Sequence, residues 1–203
     1  LLVATVGTIG NLFCSLLAAY ALSRIRFRLS KFWFTCVLIT MMVPSQVMVV
    51  PQYIIFHKLG ILDTYASMII PWFFGGGFFI FLMVQYFRGI PVALDEAAEI
   101  DGCTKLQILY HIHLPLISPA LVTSAIFSFY WIWQDFFQPL IFMNDPKKYT
   151  VSLALRLFLD PSSSSNYGGM FAMCVLSLMP VIILFICFQR YLVEGVATSG
   201  LKG

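Results

Sequence analysis

The 203-residue sequence is 60% apolar and only 10% charged, with a formal net charge of +3. A soluble domain carries about a quarter charged residues, so this chain has too little polar surface to cover a globule, and lipid is its expected solvent. Nucleic acid is excluded as a partner because the cations form no basic face. A disulfide scaffold is excluded because Cys14, Cys36, Cys103, Cys174 and Cys187 form no C-x-x-C pair and sit mostly in apolar runs, as small packing residues.

Residues 1–23, 32–57, 64–87, 106–134 and 161–189 contain no Asp, Glu, Lys or Arg. Crossing the hydrocarbon takes roughly 20 helical residues, so each run holds one span. The expected fold is an all-α membrane bundle, one domain over 1–203, with spans at about 1–23, 32–50, 67–87, 116–137 and 170–188. The chain opens on Leu1 inside an apolar run, with neither the basic start nor the cleavage site of a signal peptide. Sequence is therefore expected to be missing before Leu1.

In the first span Gly7, Asn11, Cys14, Ser15 and Ala18 share a helical face, a stripe of small and weakly polar residues that lets a neighbouring helix approach. Arg24, Arg26, Arg28 and Lys31 follow. Each would cost roughly 2.5–3.5 kcal/mol at a helix centre, so this is a loop, cytoplasmic by the positive-inside rule. Pro44 and Pro51 are expected to break the second span, leaving 52–66 as a short extracytoplasmic helix and turn. The third span carries Pro71 and Gly75-Gly76-Gly77, which read as a bend or a close helix crossing.

Residues 88–115 are too long for a turn. Pro91 suits a first helical turn, Gly102 the position just past a helix end, and Thr104 with Gln107 a capping box. The loop therefore reads as helix, glycine corner, helix, with Pro115 leading into the fourth span. On that span's outer half Trp131, Gln134, Asp135 and Gln138 would share one face of a continuous helix. The connection 139–169 is polar, with Val151 to Leu159 a surface helix or strand, and 189–203 is a tail. Eight cations (Arg24, Arg26, Arg28, Lys31, Arg88, Lys105, Arg190, Lys202) then lie inside and four (Lys58, Lys147, Lys148, Arg156) outside, which favours a cytoplasmic C-terminus.

Glu96-Ala97-Ala98, three residues, Gly102, nine residues, then Ile112, Leu114 and Pro115 form the most patterned polar interval of the chain. That string resembles the EAA signature of the permease subunits of binding-protein-dependent ATP-binding-cassette (ABC) importers. Residues 18–27, 59–64 and 133–136 resemble further landmarks of the carbohydrate permeases of that class. The ending 191–203 is similar to the tail of the smaller permease of maltose importers. The likeness covers nearly the whole chain; Gln134 stands where an Asn is usual, and the first of six spans is absent, which by the resemblance is expected before Leu1.

The resemblance implies a multi-pass subunit of the bacterial or archaeal cytoplasmic membrane. It would pair with a second homologous permease, two ABC ATPase subunits and an extracytoplasmic solute-binding protein, and would import a sugar. ATP and magnesium would bind the ATPases and no cofactor this chain, which has no G-x-x-x-x-G-K-[ST] stretch. Glu96 would pair with a basic residue of an ATPase, Ala97 and Ala98 would admit its backbone, and Gly102 would make the corner. Gly195, Gly200, Lys202 and Gly203 would run along the ATPase interface.

Tyr130, Trp131, Trp133, Gln134, Asp135 and Gln138 offer ring faces for stacking on sugars and polar groups for hydroxyls, and are candidates for the substrate path. An aromatic belt at the membrane surface uses the same residue types. Catalytic and metal-binding residues are expected to be absent. An intramembrane hydrolase would need a nucleophile and base at membrane depth, yet His57, His111 and His113 fall in loops. A stand-alone secondary transporter or channel for a small polar solute would want paired ionisable groups in the spans, and Asp135 is the one candidate.

Overall fold

Helix follows helix along the computed structural model, which describes residues 1–159 and 167–200, with the backbone alone for Leu159 and for 190–200. In chain order the helices are α1 (Leu2–Arg24), α2 (Ser30–Met42), α3 (Ser45–Lys58), α4 (Tyr65–Ile69), α5 (Gly77–Gly89) and α6 (Ala93–Ile100). Then come α7 (Lys105–Ile108), α8 (Leu114–Leu116), α9 (Ser118–Gln134), α10 (Phe137–Phe142), α11 (Val151–Ala154) and α12 (Tyr167–Gly200). No strand occurs among the described residues. Three stretches, Leu2–Arg24, Tyr65–Gly89 and Tyr167–Gln189, are long and apolar enough to cross a membrane; counting two bent pairs, Ser30–Met42 with Ser45–Lys58 and Lys105–Leu116 with Ser118–Gln134, raises the number to five.

The chain forms two compact units. One comprises Ile9–Val43, Phe74–Ala125 and the last residues of α12. Its core gathers Ala19, Tyr20, Ile80, Met83, Val84, Phe87, Leu109 and Ile117 from α1, α5 and the approach to α9. Here the polar stripe of α1 has a specific task. The break before α5 leaves backbone N–H groups without helical partners, which lipid cannot satisfy. Asn11 Oδ1 accepts the N–H of Gly76 at 2.8 Å and the hydroxyl of Ser15 at 3.2 Å, and both side chains are fully buried. Gly77 lets α2 lie against α5, since a Cβ there would stand 2.9 Å from Thr40 Oγ1 and 3.1 Å from the carbonyl of Val37.

The other unit comprises Leu1–Thr8, Pro44–Phe73 and Ile126–Gln189. Its core is Val49, Phe56, Met68, Phe142, Met143 and Leu153, with Phe56 edge-on to Phe142. Asp63 fastens the polar connection. Its carboxylate accepts the N–H groups of Asn144 and Asp145 at 2.9 and 3.0 Å and meets Lys148 at 3.0 Å.

Two expectations are corrected. Of the two prolines, only Pro44 interrupts its span: α2 stops at Met42 and α3 starts at Ser45 and runs through Pro51 to Lys58. Val43 before Pro44 is extended, the conformation a following proline favours. Val50 stays helical because Val49 and Phe56, seven residues apart on one face, are both buried. The second correction concerns the fourth span. Its helix ends at Gln134, so Trp131, Gln134, Asp135 and Gln138 do not form one continuous helical face. Residues 151–159 are helical, α11 followed by a 3₁₀ segment.

Candidate functional site

The loop between α5 and α9 is built around a corner. At the end of α6 the N–H of Gly102 donates to Glu99 O at 3.1 Å, and the N–H of Cys103 to Ala98 O at 2.9 Å. This pair of hydrogen bonds is that of a Schellman motif, which needs a left-handed residue at the first of the two donors. Gly102 supplies it, with φ of 82° and open space where a side chain would be. The chain restarts at once. Thr104 accepts the N–H of Gln107 while its own N–H donates to Gln107 Oε1 at 2.8 Å, the reciprocal box expected from these two residues. Lys105 pairs with Glu99 across the corner. The elbow is thus fixed by local bonds on both arms.

Its placement depends on the inner face. Arg24, at the last turn of α1, donates from Nη1 to Asp95 Oδ2 at 3.1 Å, and from Nη2 to the carbonyls of Phe87 and Ile90, the latter at 2.7 Å. Those carbonyls close α5, where a cation is favoured. The other oxygen of Asp95 lies 2.6 Å from His113 Nε2. His113 is fully buried against the rings of Tyr20 and Phe87, and a π-helical turn over Leu109–His113 carries it there. Tyr20 donates its hydroxyl to Lys105 O at 2.8 Å.

The outer face is bare. Glu96, Ala97 and Gly102 are exposed, and so is a set of apolar side chains: Ile100 is 86% exposed, Leu106 70% and Tyr110 68%. Glu96 and Asp101 have no ion-pair partner among the described residues. A cavity of about 350 Å³ opens beside the elbow, lined by Arg24, Arg26, Asp95, Glu96, Glu99 and Lys105 among others. Ala98 departs from its expected place beside Ala97, being only 6% exposed, so its small side chain lets α6 approach its own chain. Ile112 and Leu114 are half-buried and Pro115 is exposed, at the short helix α8 that precedes α9.

The aromatic set near the end of α9 divides in two. Trp133 is committed internally: its indole donates to Ser177 O at 2.9 Å, and its carbonyl accepts the hydroxyl of Ser152 at 2.8 Å. Asp135 accepts the N–H groups of Phe137 and Gln138 at 3.0 and 3.2 Å and so starts α10. Tyr130, Trp131 and Gln134 stay exposed on the last turn of α9, and Gln138 is half-buried. Gly195 and Gly200 lie on the final turns of α12, and Lys202 and Gly203 lie outside the described residues.

Sequence reasoning missed Asp95, Arg24 and His113 as a group. Asp95 reads as one of four acids on a solvated helix, and nothing local links it to an arginine 71 positions earlier. The available signal was Arg24 itself, a cation at the boundary of a span.

Comparison with known proteins places these features. Residues 11–198 match the family described as "Binding-protein-dependent transport system inner membrane component". The chain is 37% identical over 194 residues to the probable ABC transporter permease protein YurM of Bacillus subtilis, covering 95% of this chain and 64% of that protein. It is 35% identical to the arabinooligosaccharides transport system permease protein AraQ of Halalkalibacterium halodurans, covering 95% of this chain and 68% of that one. With the trehalose/maltose transport system permease protein MalG of Thermococcus litoralis it shares 32% identity over its full length and 73% of the relative. Among solved structures, it superposes with a TM-score of 0.81 and 27% identity on a chain of a bacterial ABC transporter involved in the import of the acidic polysaccharide alginate, covering 93% of this chain and 71% of that one. The chain spans about two thirds of the length of the curated relatives it matches. By a match over residues 11–198 and by its fold, this chain belongs to the family of inner membrane components of binding-protein-dependent transport systems.

Proposed function

We propose that this chain is one permease half of an ATP-driven importer. With a second, homologous permease it forms the path for a carbohydrate, an oligosaccharide by default, delivered by an extracytoplasmic solute-binding protein. Two ABC ATPase subunits bind the ATP and magnesium and dock on the loop 88–115, which faces the cytoplasm with the C-terminal tail. Relatives named for arabinooligosaccharides and for trehalose and maltose support the carbohydrate class.

The observation that carries the reading is the division of the elbow into a gripped face and a bare one. Of four acids on α6 and its cap, Asp95 and Glu99 are used inside the chain, whereas Glu96 and Asp101 stay unpaired among the described residues. Exposed Ile100, Leu106 and Tyr110 beside an unpaired carboxylate suit a protein groove with a basic rim. They do not suit lipid headgroups, whose negative surface potential repels acids. In transport, ATP would close the two motors and draw the two permease loops together, opening the outer cavity to the loaded binding protein; hydrolysis would reverse this. Tyr130, Trp131 and Gln134 are the sugar-facing candidates, with Trp133, Asp135 and Gln138 framing them.

The test is Glu96→Lys in the whole assembly in liposomes. Transport is expected to fall at least tenfold, equivalent to about 1.4 kcal/mol of lost interaction, while the chain still inserts and pairs with its permease partner. Unchanged transport and unchanged stimulation of ATP hydrolysis would refute docking through this face.

A further inference from the structure

We infer that Asp95 is the positioning residue of the transmission joint, a pin through which movement of the elbow reaches α1, α5 and the base of α9 together. This rests on the proposal that ATPases dock on the elbow. The exposed face explains how a motor could hold α6, but holding α6 moves nothing unless α6 is tied to the spans.

The ties converge on one carboxylate. One oxygen of Asp95 takes Arg24 Nη1 at 3.1 Å and the other lies 2.6 Å from His113 Nε2. Arg24 ends α1 and also holds the carbonyls of Phe87 and Ile90 at the end of α5. His113 precedes α8 and α9 directly, and its ring is wedged between Tyr20 of α1 and Phe87 of α5. The side chains of Arg24 and Asp95 are 5% and 12% exposed and that of His113 is wholly enclosed.

Charge is an expensive way to fix a helix. Well-packed apolar residues hold two helices at least as firmly as a buried ion pair, whose desolvation offsets most of its attraction. What charge adds is direction: a carboxylate held by Arg24 on one oxygen and facing the His113 ring on the other favours one orientation of α6, whereas apolar contacts tolerate sliding. The π turn points the same way. Extra-wide turns of this kind recur at functional sites, and here the turn ends on His113 and delivers it to Asp95. Asp95 also stands immediately before Glu96, so the inward grip and the outward docking carboxylate are consecutive residues of one rigid helix.

The experiment uses the complete importer in liposomes with two near-isosteric variants, Asp95→Asn and His113→Phe, and their double mutant. Phenylalanine keeps the ring between Tyr20 and Phe87 and removes the nitrogen. Three quantities are read: retention of the ATPase subunits, ATP turnover with and without the loaded binding protein, and solute imported per ATP. Both single variants are expected to retain the ATPases and to lower solute per ATP at least fivefold. The double mutant is expected to be no worse than the weaker single, since residues acting through one contact are not additive. Wild-type coupling in either variant, or additive losses in the double, overturns the joint. Loss of the ATPases from both variants also overturns it, assigning Asp95 to docking. Failure of the docking proposal is distinguishable, because it appears in the wild type as an assembly without ATPases.

Discussion

Asp63 has a φ of 57°, in the left-handed region that side chains other than Gly, Asn and Asp rarely enter. The conformation is stabilised by what its carboxylate reaches: two backbone N–H groups and the ammonium of Lys148. The N–H groups of Asp145 and Asn144, then Lys148, pull its pKa down from the ordinary 3.8 to about 2. A carboxylate with a depressed folded pKa contributes stability above its unfolded value, near 4, and loses it as pH falls toward 2. Asp63→Asn keeps the backbone conformation and removes the charge. The wild-type assembly should therefore melt higher than the variant at pH 5, and the gap should close as pH is lowered from 4 to 2. A gap that does not change with pH would mean the carboxylate's charge is irrelevant to the connection it fastens.

At the scale of elements, the approach of α2 to α5 depends on the missing side chain of Gly77. A methyl group there meets Thr40, Met41 and the backbone of Val37 at 2.9 to 3.1 Å, and the carbonyl cannot rotate away. Gly89, at the other end of α5, has nothing within 4 Å of where its Cβ would be and an ordinary negative φ. Gly77→Ala should destabilise the assembly by about 1–3 kcal/mol through overpacking. Gly89→Ala should be neutral or stabilising by about 0.4–1 kcal/mol through the unfolded chain. Thermal unfolding in detergent, with both variants in parallel, checks the order; a reversed order would show that α2 and α5 are not in register as described.

The elements also show where sequence reading succeeds and stops. Gly102 and the Thr104–Gln107 box were legible because each cap is written in residues at most five apart. The break at Pro44 and the continuity at Pro51 were not distinguishable, since the two rings present the same chemistry and only the burial of Val49 and Phe56 separates them. The end of α9 was missed for a related reason. Asp135 reads as one more position of an apolar helix, but its carboxylate takes two backbone N–H groups and starts α10 instead. Asp95 was the deepest omission, because its partners lie 71 residues before it and 18 after, and no local pattern encodes such a pairing.

For the whole molecule, the prediction is a division of labour. Purified with the proposed permease partner and without ATPase subunits, this chain should show no ATP turnover above the buffer rate, measured as phosphate release. Turnover in that preparation would place the nucleotide chemistry in the membrane subunits. The apolar surface sets a further condition. In the segment Tyr167–Gln189 no side chain is buried within the chain, while its mean hydropathy of 2.8 exceeds that of the other two long stretches. A helix that leans so little on its own fold is freed from fitting it. Over evolutionary time its side-chain volumes can drift wherever oiliness is kept, and the constraints that remain must be written by whatever surrounds it. Comparing substitution tolerance along this helix, position by position, would trace the outline of its neighbours.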